Sequence, residues 1–291
     1  INGNQNQDII INNLEVYNTR TPLIMSSTNK FLISNSVLDA NGGNTAWLHS
    51  AYIGGDTFDI KFDNVNFMNS PGGGIHIYNG YKDQMPAQNI IVKDSKIDNC
   101  RVGAYIFSGA NDISFLNVTI INSGLAFKIN DATDISIRNI NISNQKFNKD
   151  SNGGFSLNHF SNSKISDIEI DCEGMKGILF GLGEKVNDVE ISNLKAINME
   201  DVSFFKTASK SVKNLVVQNS TFEWINVSNY GIEFAGSGSE AIFRNNKFIN
   251  KGNIYDSVAN NLEGTNILLE NNLYSGFKSL TNKNDYSKSF N

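Results

Sequence analysis

Two of the chain's three histidines, His49 and His76, fall near aromatic and cationic residues that recur in similar local patterns. His76 and Tyr78 alternate with Ile75 and Ile77 in Gly74-Ile75-His76-Ile77-Tyr78. Tyr105 and Phe107 alternate with Ala104 and Ile106, and Lys128 follows Phe127 in Leu125-Ala126-Phe127-Lys128-Ile129. Alternate residues of a strand share a face, so an imidazole, two phenols and an ammonium reach one side of a sheet. These groups suit a metal-independent β-elimination. His76 removes the proton beside a uronate carboxylate, Lys128 or Arg101 pairs with that carboxylate, and Tyr78 or Tyr105 protonates the leaving oxygen. His49 supplies a second imidazole, while Trp47, Tyr52 and Phe107 offer flat rings that stack on sugar faces. No cofactor and no metal is required.

Hydrolysis would need two carboxyl groups, about 5–5.5 Å apart for retention or about 6.5–9.5 Å for inversion. Neighbouring strands about 4.8 Å apart, or alternate ones at twice that, would supply either spacing. The outward positions of these alternating runs carry only Glu233, far from the aromatic residues, so Asp39, Asp56 and Asp83 would have to be recruited from flanking turns as substrate contacts. His159 lies in a loop and reads as structural. Tyr105 and Phe107 also have a purely structural reading, since like side chains stacked on successive strands pack well.

The elements that position these residues are set by a repeat: an apolar residue, any residue, Asn or Asp, any two residues, then a second, usually apolar, residue. Centred on its polar member, it occurs at positions 13, 35, 64, 94, 117, 139, 167, 193, 219, 245 and 271. A period of about 26 residues is that of one solenoid coil. Apolar residues alternate on either side of each Asn or Asp, as in Ile135-Ile137 and Ile140-Ile142, and lose phase at it. Two short strands therefore meet at a bend, where Asn tolerates a left-handed backbone and its amide can bond to the next coil. A third alternating run lies between successive bends, giving three parallel sheets in about eleven coils.

Alternation assigns the third run an outward strip, rising from Tyr52 through His76 with Tyr78, Tyr105 with Phe107, Ala126 with Lys128, and Ser156 with Asn158. Leu179, Ser203 with Phe205, and Glu233 continue it. Trp47 and His49 overhang this strip from below, and exposed Leu179 and Phe205 would face a neighbouring molecule. Long intervals place inserted loops at 39–50, 79–88 and 143–153, all flanking the same run. Cys100 and Cys172 fall at equivalent places three coils apart, roughly 14 Å, too far for a disulfide. They are expected as free thiols.

This pattern resembles the right-handed parallel β-helix of the pectate-lyase-like superfamily, with the Asn bend matching its asparagine ladder. The resemblance spans nearly the whole chain, implies one all-β domain over 1–291, excised from or part of a longer chain, and makes the third run the first sheet, whose flanking turns wall a substrate groove. Asp39-Ala40-Asn41-Gly42 looks like the Asp-Gly-Asn-Gly turn of some of these proteins. The superfamily includes lyases, hydrolases, epimerases, phage tailspikes and adhesins. The polygalacturonase signature is absent, and no acidic cluster matches the calcium-dependent lyases. The implied function is a polysaccharide-processing enzyme acting on a long acidic glycan, elimination being favoured over hydrolysis. The alternative is a non-catalytic glycan-binding or adhesive β-helix. Either implies an extracellular, cell-surface or virion location, and a tailspike would imply a homotrimer. A net charge of −5 without basic runs argues against nucleic acid. No apolar run approaches the roughly 18 residues of a membrane span.

Overall fold

The computed structural model describes residues 2–4, 7–80, 83–145, 153–207, 212–227, 231–234, 238–260 and 265–281. They form an all-β, right-handed parallel solenoid of about 10 turns, bounded by the eleven repeat positions. Every strand pairing is parallel, each coil bonding to the equivalent segment of the next, as in Val102–Ile121 against Leu125–Ser143 and that strand against Gly153–Asp171. These long strands run round the corners through all three sheets. Of the insertions expected at 79–88 and 143–153, residues 81, 82 and 146–152 lie outside the described residues.

All eleven repeat positions have a left-handed backbone, with φ between 47° and 57°. That conformation is disfavoured for most side chains and best tolerated by Gly, Asn and Asp. Amides join the coils: Asn64 Nδ2 donates to Asn35 Oδ1 at 2.8 Å, Asn117 to Asp94 at 2.7 Å and Asn193 to Asp167 at 3.0 Å. An Asp accepts from the coil above and cannot donate to the one below, so each Asp ends a run of the ladder. Two further left-handed columns flank it at five-residue offsets, for example Asp112 and Asn122 around Asn117, and Asp134 and Asn144 around Asn139. Each coil thus turns at Asn- or Asp-rich corners separated by four residues of strand.

The interior is filled by apolar side chains stacked in register, including Phe127, Phe155, Phe180 and Phe205 with ring centroids 5.2, 4.5 and 5.2 Å apart. The last of these rings corrects the expected strip. Leu179 and Phe205 are buried, not outward, because alternation breaks there: both members of Leu179-Phe180 and of Phe204-Phe205 point inward. The amides of Phe204 and Phe205 both bond to the Gly231 carbonyl, at 2.8 and 3.0 Å, which is a bulge. The outward column continues instead through Gly181, Lys206 and Glu233. Ala126 is also buried, in a column with Gly74, Gly103 and Gly154 where the chain turns tightly; a Cβ on Gly103 would sit 2.5 Å from the Ala126 carbonyl oxygen. Ser203 is buried as well. The two cysteines are free and buried, and burial pushes the Cys100 thiol up to about 12.

Candidate functional site

Register brings Tyr52, His76, Tyr105 and Lys128 to one outward column of the first sheet, on the strands Ala51–Ile53, Gly73–Ile77, Val102–Ile121 and Leu125–Ser143. Two residues further along each strand, Tyr78 and Phe107 lie beside them. The rings form a block around His76, whose ring centre is 5.3 Å from Tyr52, 5.6 Å from Tyr78, 5.2 Å from Tyr105 and 5.7 Å from Phe107. Above Phe107 the second column changes character to Asn130 and Asn158, joined by an amide hydrogen bond.

His49 does not overhang the strip. Its loop folds back so that the ring is only 3% exposed, packed 4.2 Å from His76, which is 7% exposed. The Gly73 amide lies 2.8 Å from His49 Nδ1, and His49 Nε2 lies 2.8 Å from His76 Nδ1. An amide can only donate, so His49 Nδ1 accepts and the neutral ring carries its proton on Nε2. That proton is donated to His76 Nδ1, which leaves His76 with its own proton on Nε2. His76 Nε2 is buried without a hydrogen-bond partner, ringed by the faces and edges of its aromatic neighbours. Burial away from water lowers the pKa of His49 to about 4 and that of His76 to about 3, the second imidazole adding to the effect on His76. Both are neutral at pH 7.

Around this dyad the surface is amphipathic. Trp47 is 82% exposed. Lys128 Nζ lies 6.0 Å from the centre of the Tyr105 ring, a cation–π distance. Burial raises the pKa of the Tyr105 phenol, opposed by the nearby Arg101 guanidinium, so the hydroxyl keeps its proton. The three turn acids do not converge. Asp39 is buried on one rim, where its carboxylate accepts the Asn41 amide at 3.0 Å; Asp56 lies on the opposite rim and accepts the Met85 amide at 2.9 Å; Asp83 is exposed nearby in sequence. The first two therefore shape turns. His159 interacts with Asn158 and Glu184 in a corner, as a structural residue would.

Sequence reasoning overlooked Gly73, whose amide sets both imidazole tautomers. The available signal was a glycine recurring just before the first-sheet strands, at Gly73-Gly74, Gly103 and Gly154.

No family model matches the chain, and no curated protein matches it. Solved structures do. The chain is similar to PfbA, a surface adhesin of Streptococcus pneumoniae, with a TM-score of 0.61 and 12% identity over 94% of this chain and 69% of that one. An endo-xylogalacturonan hydrolase from Aspergillus tubingensis gives 0.56 and 12%, covering 94% and 88%. The catalytic domain of a GH87 α-1,3-glucanase in complex with nigerose gives 0.51 and 10%, covering 94% and 64%. Identities this low establish the shared right-handed parallel β-helix.

Proposed function

We propose that this chain binds a long polysaccharide along its first sheet, outside the cell or on a cell or virion surface. The observation that carries the reading is the ring block around His76, extended by exposed Trp47 and bordered by the cations Lys128 and Arg101. Flat rings stack on the apolar faces of sugars, and an ammonium or guanidinium pairs with a carboxylate, so an acidic glycan is favoured over a neutral one. Fold neighbours that are a surface adhesin, a xylogalacturonan hydrolase and a glucanase holding nigerose lend support by analogy of fold.

Binding stands ahead of turnover for two reasons. The acids Asp39, Asp56 and Asp83 form no pair of the hydrolytic kind. His76, the group best placed by sequence to take a proton, presents a protonated and sealed nitrogen and is a weak base. Elimination is the second reading, favoured by a protonated Tyr105 between His76 and Lys128. It requires Tyr78 and Phe107 to move aside and the proton on His76 to shift to Nδ1, which the Gly73 amide opposes through His49.

Incubation with a panel of acidic and neutral polysaccharides, read by affinity electrophoresis and by mass spectrometry of the products, separates these readings. Retardation by acidic polymers that survive intact is the expected result. Fragments lighter by one water than hydrolysis products would establish elimination and predict that His76→Ala abolishes it. Fully hydrated fragments would mean hydrolysis. A chain that neither binds nor cleaves any polymer would end the glycan reading.

A further inference from the structure

Four buried polar atoms are left unpaired among the described residues, and His76 Nε2 is the only nitrogen of the four. A relay fixes its proton there. The Gly73 amide donates to His49 Nδ1 and His49 Nε2 donates to His76 Nδ1, at 2.8 Å each, so the neutral His76 ring carries its proton on Nε2. A buried N–H without an acceptor bears the full loss of its hydration. A phenyl ring, such as the one Phe107 supplies in the next coil, would pack among the same aromatic neighbours without that cost. A donor left unsatisfied at 7% exposure, yet held in one tautomer by two further groups, calls for an acceptor from outside the chain.

We propose that His76 Nε2–H is a preset hydrogen-bond donor to a hydroxyl oxygen of a uronate residue stacked on Tyr105. The assignment rests on the glycan reading of the first sheet and gives that face its polar contact. Tyr105 pairs in register with His76 in the coil below and Lys128 in the coil above. Two coil steps span roughly 10 Å, about the width of one pyranose with a hydrogen bond at either edge. A uronate bears its carboxylate on C5, and its C2 hydroxyl leaves from the ring carbon opposite. With the carboxylate paired to Lys128, the C2 and C3 hydroxyls face His76. No proton is transferred, so the contact uses the tautomer that the Gly73 relay enforces, where a base would have to overcome it.

Two rings must move aside for the sugar to reach this nitrogen. Tyr78 stacks on His76 with 27° between the planes and is 37% exposed, and the half-buried Phe107 stands edge-on at 88°. Tyr78 has room to swing, because the residue two places on is Gly80, where even a Cβ would lie 3.3 Å from Tyr78 Cε1. Opening exchanges a ring over an unsatisfied donor for an oxygen bonded to it. A ligand that lacks this oxygen displaces the ring and satisfies nothing, which makes His76 a determinant of specificity.

Nitrogen-15 NMR of the full chain labelled at histidine, at neutral pH, tests the donor, with tryptophan emission reporting binding separately. The probes are trimers of galacturonate and of glucuronate, and His159→Asn removes the signals of the third histidine. The free chain should show His49 and His76 both protonated on Nε2, and a saturating trimer should move the His76 Nε2 proton downfield with the tautomer unchanged. His76→Phe, its fold checked by circular dichroism, should weaken the trimer about tenfold. The parent should prefer the trimer about tenfold over its 2-deoxy or its 3-deoxy analogue, and the variant should lose that preference, which repacking alone would not cause. A trimer that binds without moving the His76 proton, or that loses nothing on removal of either hydroxyl, would overturn the donor and leave glycan binding in place. So would a free chain with His76 protonated on Nδ1. Emission that neither trimer changes would remove the glycan reading and the donor together.

Discussion

At the scale of residues, the His49–His76 dyad makes a prediction independent of any ligand. Both imidazoles have folded-state pKa values, about 4 and about 3, below the unfolded value of 6.5. The unfolded chain therefore binds more protons in acid, so stability is full above pH 6.5 and falls as the pH drops through 6.5 toward 4. At about 1.4 kcal/mol per unit the loss is on the order of several kcal/mol. Urea midpoints measured from pH 7 to 4 should decline, and His49→Phe/His76→Phe should flatten that decline whatever it does to stability at neutral pH. An unchanged slope in the double variant would remove the dyad from the account. The dyad was partly legible: the two imidazoles were assigned to neighbouring coils, but their burial was not, because it follows from a loop folding back onto the sheet. The aromatic column was legible because alternation holds without interruption in those strands.

Elements supply the next pair of predictions. Asn117 carries the ladder at φ 55°, donating to Asp94 and accepting from Asn139 at 3.3 Å. Asn117→Ala loses both bonds and the short polar side chain that makes a left-handed backbone tolerable to a residue with a Cβ, for an expected loss of about 2–4 kcal/mol in thermal or urea unfolding. Asn117→Gly should recover the backbone part, and a neutral Asn117→Ala would mean that the ladder is ornamental. Phe205→Ala should cost about 3–5 kcal/mol, as for a ring stacked in the core; a change under about 1 kcal/mol would restore the outward placement read from alternation. That reading failed at the apolar doublets Leu179-Phe180 and Phe204-Phe205, whose first members continue the buried turn column of Ala126 and Gly154 and whose second members continue the Phe155 column. A strict two-residue period cannot represent two adjacent buried columns. The eleven ladder positions were legible because a left-handed corner in every coil selects Asn or Asp. The two flanking corner columns were obscured by a mixed set of occupants, Lys30, Asn89 and Asp112 among them.

At the scale of the whole molecule, a rigid solenoid presents different columns on different faces without disturbing its core. The ring block on the first sheet can therefore be altered without disturbing the packed interior. Trp47→Ala, at a position 82% exposed, should leave the unfolding midpoint within about 0.5 kcal/mol of the parent while lowering glycan affinity about tenfold.

Intrinsic fluorescence gives the most direct test of glycan binding, because the two tryptophans are oppositely placed. Trp47 is exposed two residues before His49 in the chain, and Trp224 is fully buried with its indole N–H donated to the Val202 carbonyl at 2.8 Å. Titration with uronate-containing oligosaccharides should produce a saturable blue shift of the exposed component, absent in Trp47→Phe and weakened in Lys128→Ala. Emission unchanged by every acidic and neutral oligosaccharide up to about 10 mM, beyond the weakest affinity such a site would usefully have, would contradict a glycan site on this face.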